Sequence, residues 1–134
     1  MNSLNLKHAA LSSVVVYTLG ILAFVGSFFV PLMDDLELQA NLALMVAIIP
    51  AAYFGALIYY RKGHKTSGFV LGFAMFIGAI LLDAIITVPV FIIPNGGNHL
   101  SFFKDPGFWL IGIEYITVVV TYWYFTLAGS KEAL

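Results

Sequence analysis

Asp83 and Glu114 are the residues in this sequence with the clearest chemistry to perform. Asp83 is the only charged side chain from residue 66 to 103, and Glu114 the only one from 106 to 130. A bare carboxylate inside so apolar a tract is costly, and intramembrane acids mark functional sites by default. Two of them brought together can share a proton and titrate as a coupled pair. They can also hold a cation or protonated ligand, or line a water-filled cavity. Residues at helical spacing supply the surroundings. Gly72, Phe76, Ala79, Asp83 and Thr87 follow one another at steps of three or four and share a face. Gly107, Leu110, Glu114, Thr117, Thr121, Tyr124 and Ala128 form a second seam, and Ser13, Tyr17, Gly20, Phe24 and Ser27 a third. The expected proton- or ligand-binding set is therefore Asp83, Glu114, Thr87, Thr117, Thr121 and Tyr17. His99 would join it if the 94–106 loop folds back, giving an imidazole beside two carboxylates. The plainer reading is that protonated carboxyls hydrogen-bond to these hydroxyls or to a free carbonyl and glue helices together.

Composition narrows the classes. The chain has 134 residues, 61% hydrophobic and 10% charged, where a soluble domain carries about a quarter charged residues. Too little polar surface remains for a soluble enzyme or a disordered chain, and a nucleic-acid binder needs a basic surface. There is no cysteine, so disulfides and thiolate metal sites are excluded. No lysine or histidine lies within an apolar tract to hold retinal or haem. No phosphate-cradling loop or nucleophile arrangement appears. Neither a cofactor nor a metal is expected.

These residues need elements to position them. A membrane-crossing helix needs about 20 apolar residues. Four segments qualify, at about 9–30, 38–60, 67–93 and 107–128, within one domain over 1–134. The first has an uncharged stretch too long for a signal-peptide core and no small-residue cleavage site, so it reads as a retained helix. The expected fold is an all-α integral membrane protein, an antiparallel four-helix bundle. Lys7, Arg61, Lys62, Lys65 and Lys131 fall on one side and Lys104 on the other. The positive-inside rule then puts both termini in the cytoplasm. Asp83 and Glu114 would sit roughly 15 Å and 10 Å below the outer ends of their helices. Pro50 and Pro89 interrupt helices 2 and 3, and Pro89 is expected to free the Ile85 carbonyl one turn earlier. Ala43, Ala47, Ala51 and Gly55 on helix 2, and Gly68 and Gly72 on helix 3, are small-residue stripes suited to close packing. His8 and His64 read as interfacial.

The stretch Leu81-Leu82-Asp83-Ala84-Ile85-Ile86-Thr87-Val88-Pro89, with Pro106-Gly107-Phe108-Trp109 and Glu114-Tyr115, resembles a family of small bacterial four-helix membrane proteins known as a domain of unknown function. The resemblance covers nearly the whole chain and implies no activity. In size the chain is also similar to small multidrug-resistance transporters. Those place a glutamate in the first helix, and helix 1 here has no acid. The leading expectation is a multi-pass protein of the bacterial plasma membrane that binds or carries a small lipophilic or cationic ligand with proton linkage. Such a protein contacts membrane lipids and would work as a homodimer or with a membrane protein partner. The alternatives are a non-catalytic subunit or regulator docking a partner through helices 2 and 3, and a lipid-modifying enzyme using Asp83 or Glu114.

Overall fold

The computed structural model describes residues 4–128, so Lys131, counted above among the cytoplasmic charges, lies outside the described residues. Four helices are long and apolar enough to cross a membrane. Helix α1 spans Leu6–Ser27, α2 Leu36–Tyr60, α3 Gly68–Leu82 and α5 Pro106–Trp123, with the short α4 at His99–Phe103. No strand occurs among the described residues. Helix α3 runs on without a break into a π-helical segment, Asp83–Ile92, and then a single 3-10 turn, Ile93–Asn95. Helix α5 likewise ends in a π turn, Tyr124–Ala128.

Side-chain caps set where the helices begin. Asn5 accepts from the His8 amide, Asp35 from Leu38 and Ser67 from Phe69. Asp105 accepts from Gly107, with Pro106 at the first helical position. Helix α1 therefore starts before residue 9. It also stops before residue 30, because Val30 precedes Pro31 and is pushed out of the α region. Gln39 secures that exit. Its side-chain oxygen accepts from the Leu32 and Met33 amides, and its Nε2 donates to the Ser27 and Val30 carbonyls. The 94–106 connection is partly helical, with a left-handed Gly96 and a capping box at Asn98 and Ser101.

Helix α1 packs on α2 and α3, and α5 packs on the same two. Small residues permit the approach. A Cβ at Gly55 would collide with Val16 and Met75, and one at Gly112 with the Phe76 ring. Gly68 lies against Trp123 and Gly72 against Ile116. The stripes on α2 and α3 are thus engaged within the chain. Val16, Tyr59, Leu71, Met75 and Val119 are fully buried among them. The outer surface is apolar, with Leu22, Val46, Ile85, Ile113 and Phe125 all exposed.

The buried face of α5 is Ile111, Gly112, Tyr115 and Val119. Leu110, Thr117, Thr121 and Tyr124, expected on an inward seam, are exposed. The close contact of Gly112 with Phe76 fixes the rotation of α5, and that rotation turns the threonines away from the core.

Candidate functional site

Between α1, α2, α3 and α5 lies a cavity of about 900 Å³. Its walls are apolar and rich in aromatic rings: Phe24 from α1, Phe28 and Phe29 just beyond its end, Phe76 and Phe91 from α3 and its extension, and Phe108 and Tyr115 from α5. Gly96, Gly97, Ser101, Phe102 and Asp105 bound it on the side of the 94–106 connection. Asp83, Thr87 and Tyr17 line it together. No Lys or Arg lines it among the described residues.

The polar wall is a chain of hydrogen bonds. The Thr87 hydroxyl donates to Asp83 Oδ1 at 2.7 Å. Tyr17 and Thr87 approach to 2.6 Å. Thr87 has a single hydroxyl proton, so when it donates to Asp83 the Tyr17 hydroxyl must donate to Thr87. The chain then runs from Tyr17 through Thr87 to the carboxylate. When Asp83 carries a proton, each bond can reverse.

Pro89 explains the local backbone. Proline has no N–H, and its ring clashes with the carbonyl one turn earlier in an α-helix. The segment relaxes into π geometry, in which bonds run five residues back. The Ile93 amide donates to the Val88 carbonyl in this register. The carbonyl opposite the missing donor is then that of Ala84, instead of the Ile85 carbonyl an α register would free. His99 Nε2 lies 3.0 Å from the Ala84 oxygen, and only a ring N–H can serve there. The expected loop contributor is thus exposed, bonded to backbone beside Asp83, and outside the cavity wall.

Glu114, Thr117 and Thr121 do not join Asp83, since none of them lines the cavity. Glu114 is half-buried, and its Oε1 is buried with no hydrogen-bond partner among the described residues. Thr117 donates back to the Ile113 carbonyl at 2.7 Å. No group of three or more potential metal ligands occurs among the described residues.

Residues 28–125 match a family described as a family of unknown function (DUF5367). The chain belongs to this family. The DUF5367 match takes in Asp83, Thr87 and the aromatic residues from Phe28 onward, and leaves out all of α1, with Tyr17 and Phe24. No curated protein and no solved structure matches the chain.

Asn41 of α2 was missed by reasoning from sequence. It lines the cavity, and as a polar residue one turn into an apolar helix it was visible in principle. At the opposite end, His8 Nδ1 and His64 Nε2 lie 2.6 Å apart. The Tyr59 ring is against His64, and the Tyr59 hydroxyl meets Thr66 and the Asn5 amide. The expected interfacial histidines are one joined cluster.

Proposed function

We propose that this chain is a multi-pass membrane protein that binds a small lipophilic cation in the aromatic cavity, with Asp83 as counter-ion and proton-exchange site. The observation that carries this reading is the hydrogen-bonded chain Asp83–Thr87–Tyr17 in an aromatic-rich cavity that no Lys or Arg lines among the described residues. Aromatic faces attract organic cations, and desolvation strengthens the attraction. An anion would meet both Asp83 and Asp105 on the cavity wall, with no Lys or Arg lining it among the described residues to compensate.

Exchange follows from the hydrogen-bond chain. The deprotonated carboxylate holds the cation while Thr87 donates to it. A proton arriving at Asp83 removes the charge, reverses the Thr87 and Tyr17 bonds, and releases the cation. The proposed setting is the plasma membrane, in an antiparallel bundle with both termini cytoplasmic, as the basic residues at 7, 61, 62 and 65 argue. Docking a partner through the small residues of α2 and α3 has less support, because Gly55, Gly68 and Gly72 already meet neighbours within the chain.

The test is binding of tetraphenylphosphonium to the protein in nanodiscs, measured from mildly acidic to mildly alkaline buffer. Affinity is expected to fall as the buffer becomes acidic, since protons compete for Asp83. Asp83→Asn is expected to bind weakly at every pH. Equal binding by wild type and Asp83→Asn across that range would sink the proposal.

A further inference from the structure

We propose that Asn41 selects the ligand of the cavity. The preferred occupant is then a lipophilic cation with a neutral hydrogen-bonding group, of the carboxamide class, set apart from its charge by an apolar ring. This inference rests on the cation-binding reading of the cavity and specifies the end of the ligand remote from Asp83.

Most polar side chains that line the cavity are already engaged. Asp83, Thr87 and Tyr17 bond to one another. Ser101 is committed to the capping box, and Asp105 accepts from the Gly107 amide. The Tyr115 hydroxyl has no hydrogen-bond partner among the described residues, but it is enclosed by protein and out of an occupant's reach. Asn41 remains. It lines the cavity with Leu44 and Ile48, at steps of three and four on one face of α2. It is half-buried, and its side chain has no hydrogen-bond partner among the described residues. An amide in apolar surroundings is costly while unpaired, and asparagine offers both an acceptor oxygen and donor hydrogens. Such a group discriminates between a ligand that pairs with it and an isostere that leaves it unpaired.

The bundle sets this amide across from Asp83. Helices α1 and α5 each pack on both α2 and α3, so α2 and α3 face each other across the diagonal. Further along α2 the diagonal is closed, where Met75 comes up to Gly55. Toward the 94–106 connection it opens into the cavity, with Asn41 on the α2 wall and Asp83 on the wall of α3 and its extension. Neighbouring helices pack about 8–10 Å apart, and a diagonal is longer. One small group does not reach both walls, so charge and hydrogen-bonding group must stand at opposite ends of a larger body. The aromatic side chains between them favour a ring as that body.

Two phosphonium probes test this on the full-length protein in nanodiscs. (4-Carbamoylphenyl)triphenylphosphonium carries the hydrogen-bonding group, and (4-isopropylphenyl)triphenylphosphonium has nearly the same shape without it. The ratio of their affinities is the readout, because a general change in the cavity acts on both. Asn41→Leu is expected to lower the preference for the carbamoyl probe about tenfold, the loss of a hydrogen bond together with the carbamoyl group left unpaired. Asn41→Ala should lower it to a similar extent, and carries the test if leucine disturbs folding. Asp83→Asn should weaken both probes and leave their ratio as it is. The ratio should also stay constant over the pH range in which overall affinity changes, since an amide does not titrate. An unchanged ratio in both Asn41 variants would overturn the assignment of Asn41 and leave the cation reading intact. A wild type that binds neither probe would overturn both.

Discussion

Thr87 has one hydroxyl proton and two polar neighbours, and that shortage gives the chain its direction. With Asp83 ionised, the proton must go to the carboxylate, and Tyr17 must supply the next one. Replacing Thr87 by valine keeps the volume and removes both bonds. Thr87 is almost fully buried, so no water substitutes freely for it. Thr87→Val is expected to weaken binding of a lipophilic cation about tenfold at neutral pH, the worth of one hydrogen bond to a charged group. Thr87→Ser should retain most of the affinity. Titration of tetraphenylphosphonium by isothermal calorimetry checks both. Equal affinities for the valine and serine variants would show that the hydroxyl plays no part. His99 belongs to the same scale with a different task. It supplies the donor that Pro89 cannot, at the Ala84 carbonyl. His99→Ala is expected to cost about 1 kcal/mol of stability, read as a lowered Tm. The accompanying change should be faster amide exchange between residues 83 and 92, while α1 and α2 stay protected.

Helix positions in this chain depend on a few close approaches. Gly55 brings α2 against Val16 of α1 and Met75 of α3, and Gly112 brings α5 against Phe76. At Gly112 the added atom would meet the rigid Phe76 ring, so a side chain there has little room to be accommodated by rotamer changes. Gly112→Val is expected to destabilise by about 1–3 kcal/mol through overpacking, measured as a loss of thermal stability in detergent. Gln39 is comparable for the turn after α1, where it makes four hydrogen bonds. Gln39→Leu should cost about 1 kcal/mol by leaving partly buried backbone groups of this turn without their partner. These elements also show which parts of the fold could be read from sequence. The four spans follow from runs of apolar residues of sufficient length, a property each segment carries by itself. The shared face of Gly72, Phe76, Ala79 and Asp83 follows from spacing alone. The rotation of α5 does not, because two faces compete on that helix: a polar edge through Glu114 and Thr117, and an apolar one through Ile111, Gly112 and Tyr115. Spacing marks both and ranks neither. Contact with Phe76, a residue 36 positions away in the sequence, decides between them. The π register at Asp83–Ile92 was hidden for a similar reason. Proline announces a disturbed helix, but its form depends on where another donor, here His99, happens to lie.

Taken whole, the molecule is asymmetric in charge along the direction of its helices. Lys7, Arg61, Lys62 and Lys65 gather where His8 meets His64. Asp34, Asp35 and Asp105, with Lys104, belong to the connections near the cavity. Basic flanks are retained in the cytoplasm during insertion, so the cavity is expected to lie toward the outer face. Proton-linked release then has a direction, because Asp83 would take its proton from the outer side. Leu6 and Leu100 are both well exposed, at 74% and 71%, and neither is charged. Leu6→Cys and Leu100→Cys therefore place a thiol near each end without altering the charge bias, in a chain with no other cysteine. A membrane-impermeant maleimide applied to intact cells is expected to label Leu100→Cys, and to label Leu6→Cys only after permeabilisation. The reverse pattern would place the cavity toward the cytoplasm and make Asp83 a site loaded from inside. Labelling of both positions in intact cells would mean that the two ends are not separated by the membrane, against the bundle orientation proposed here.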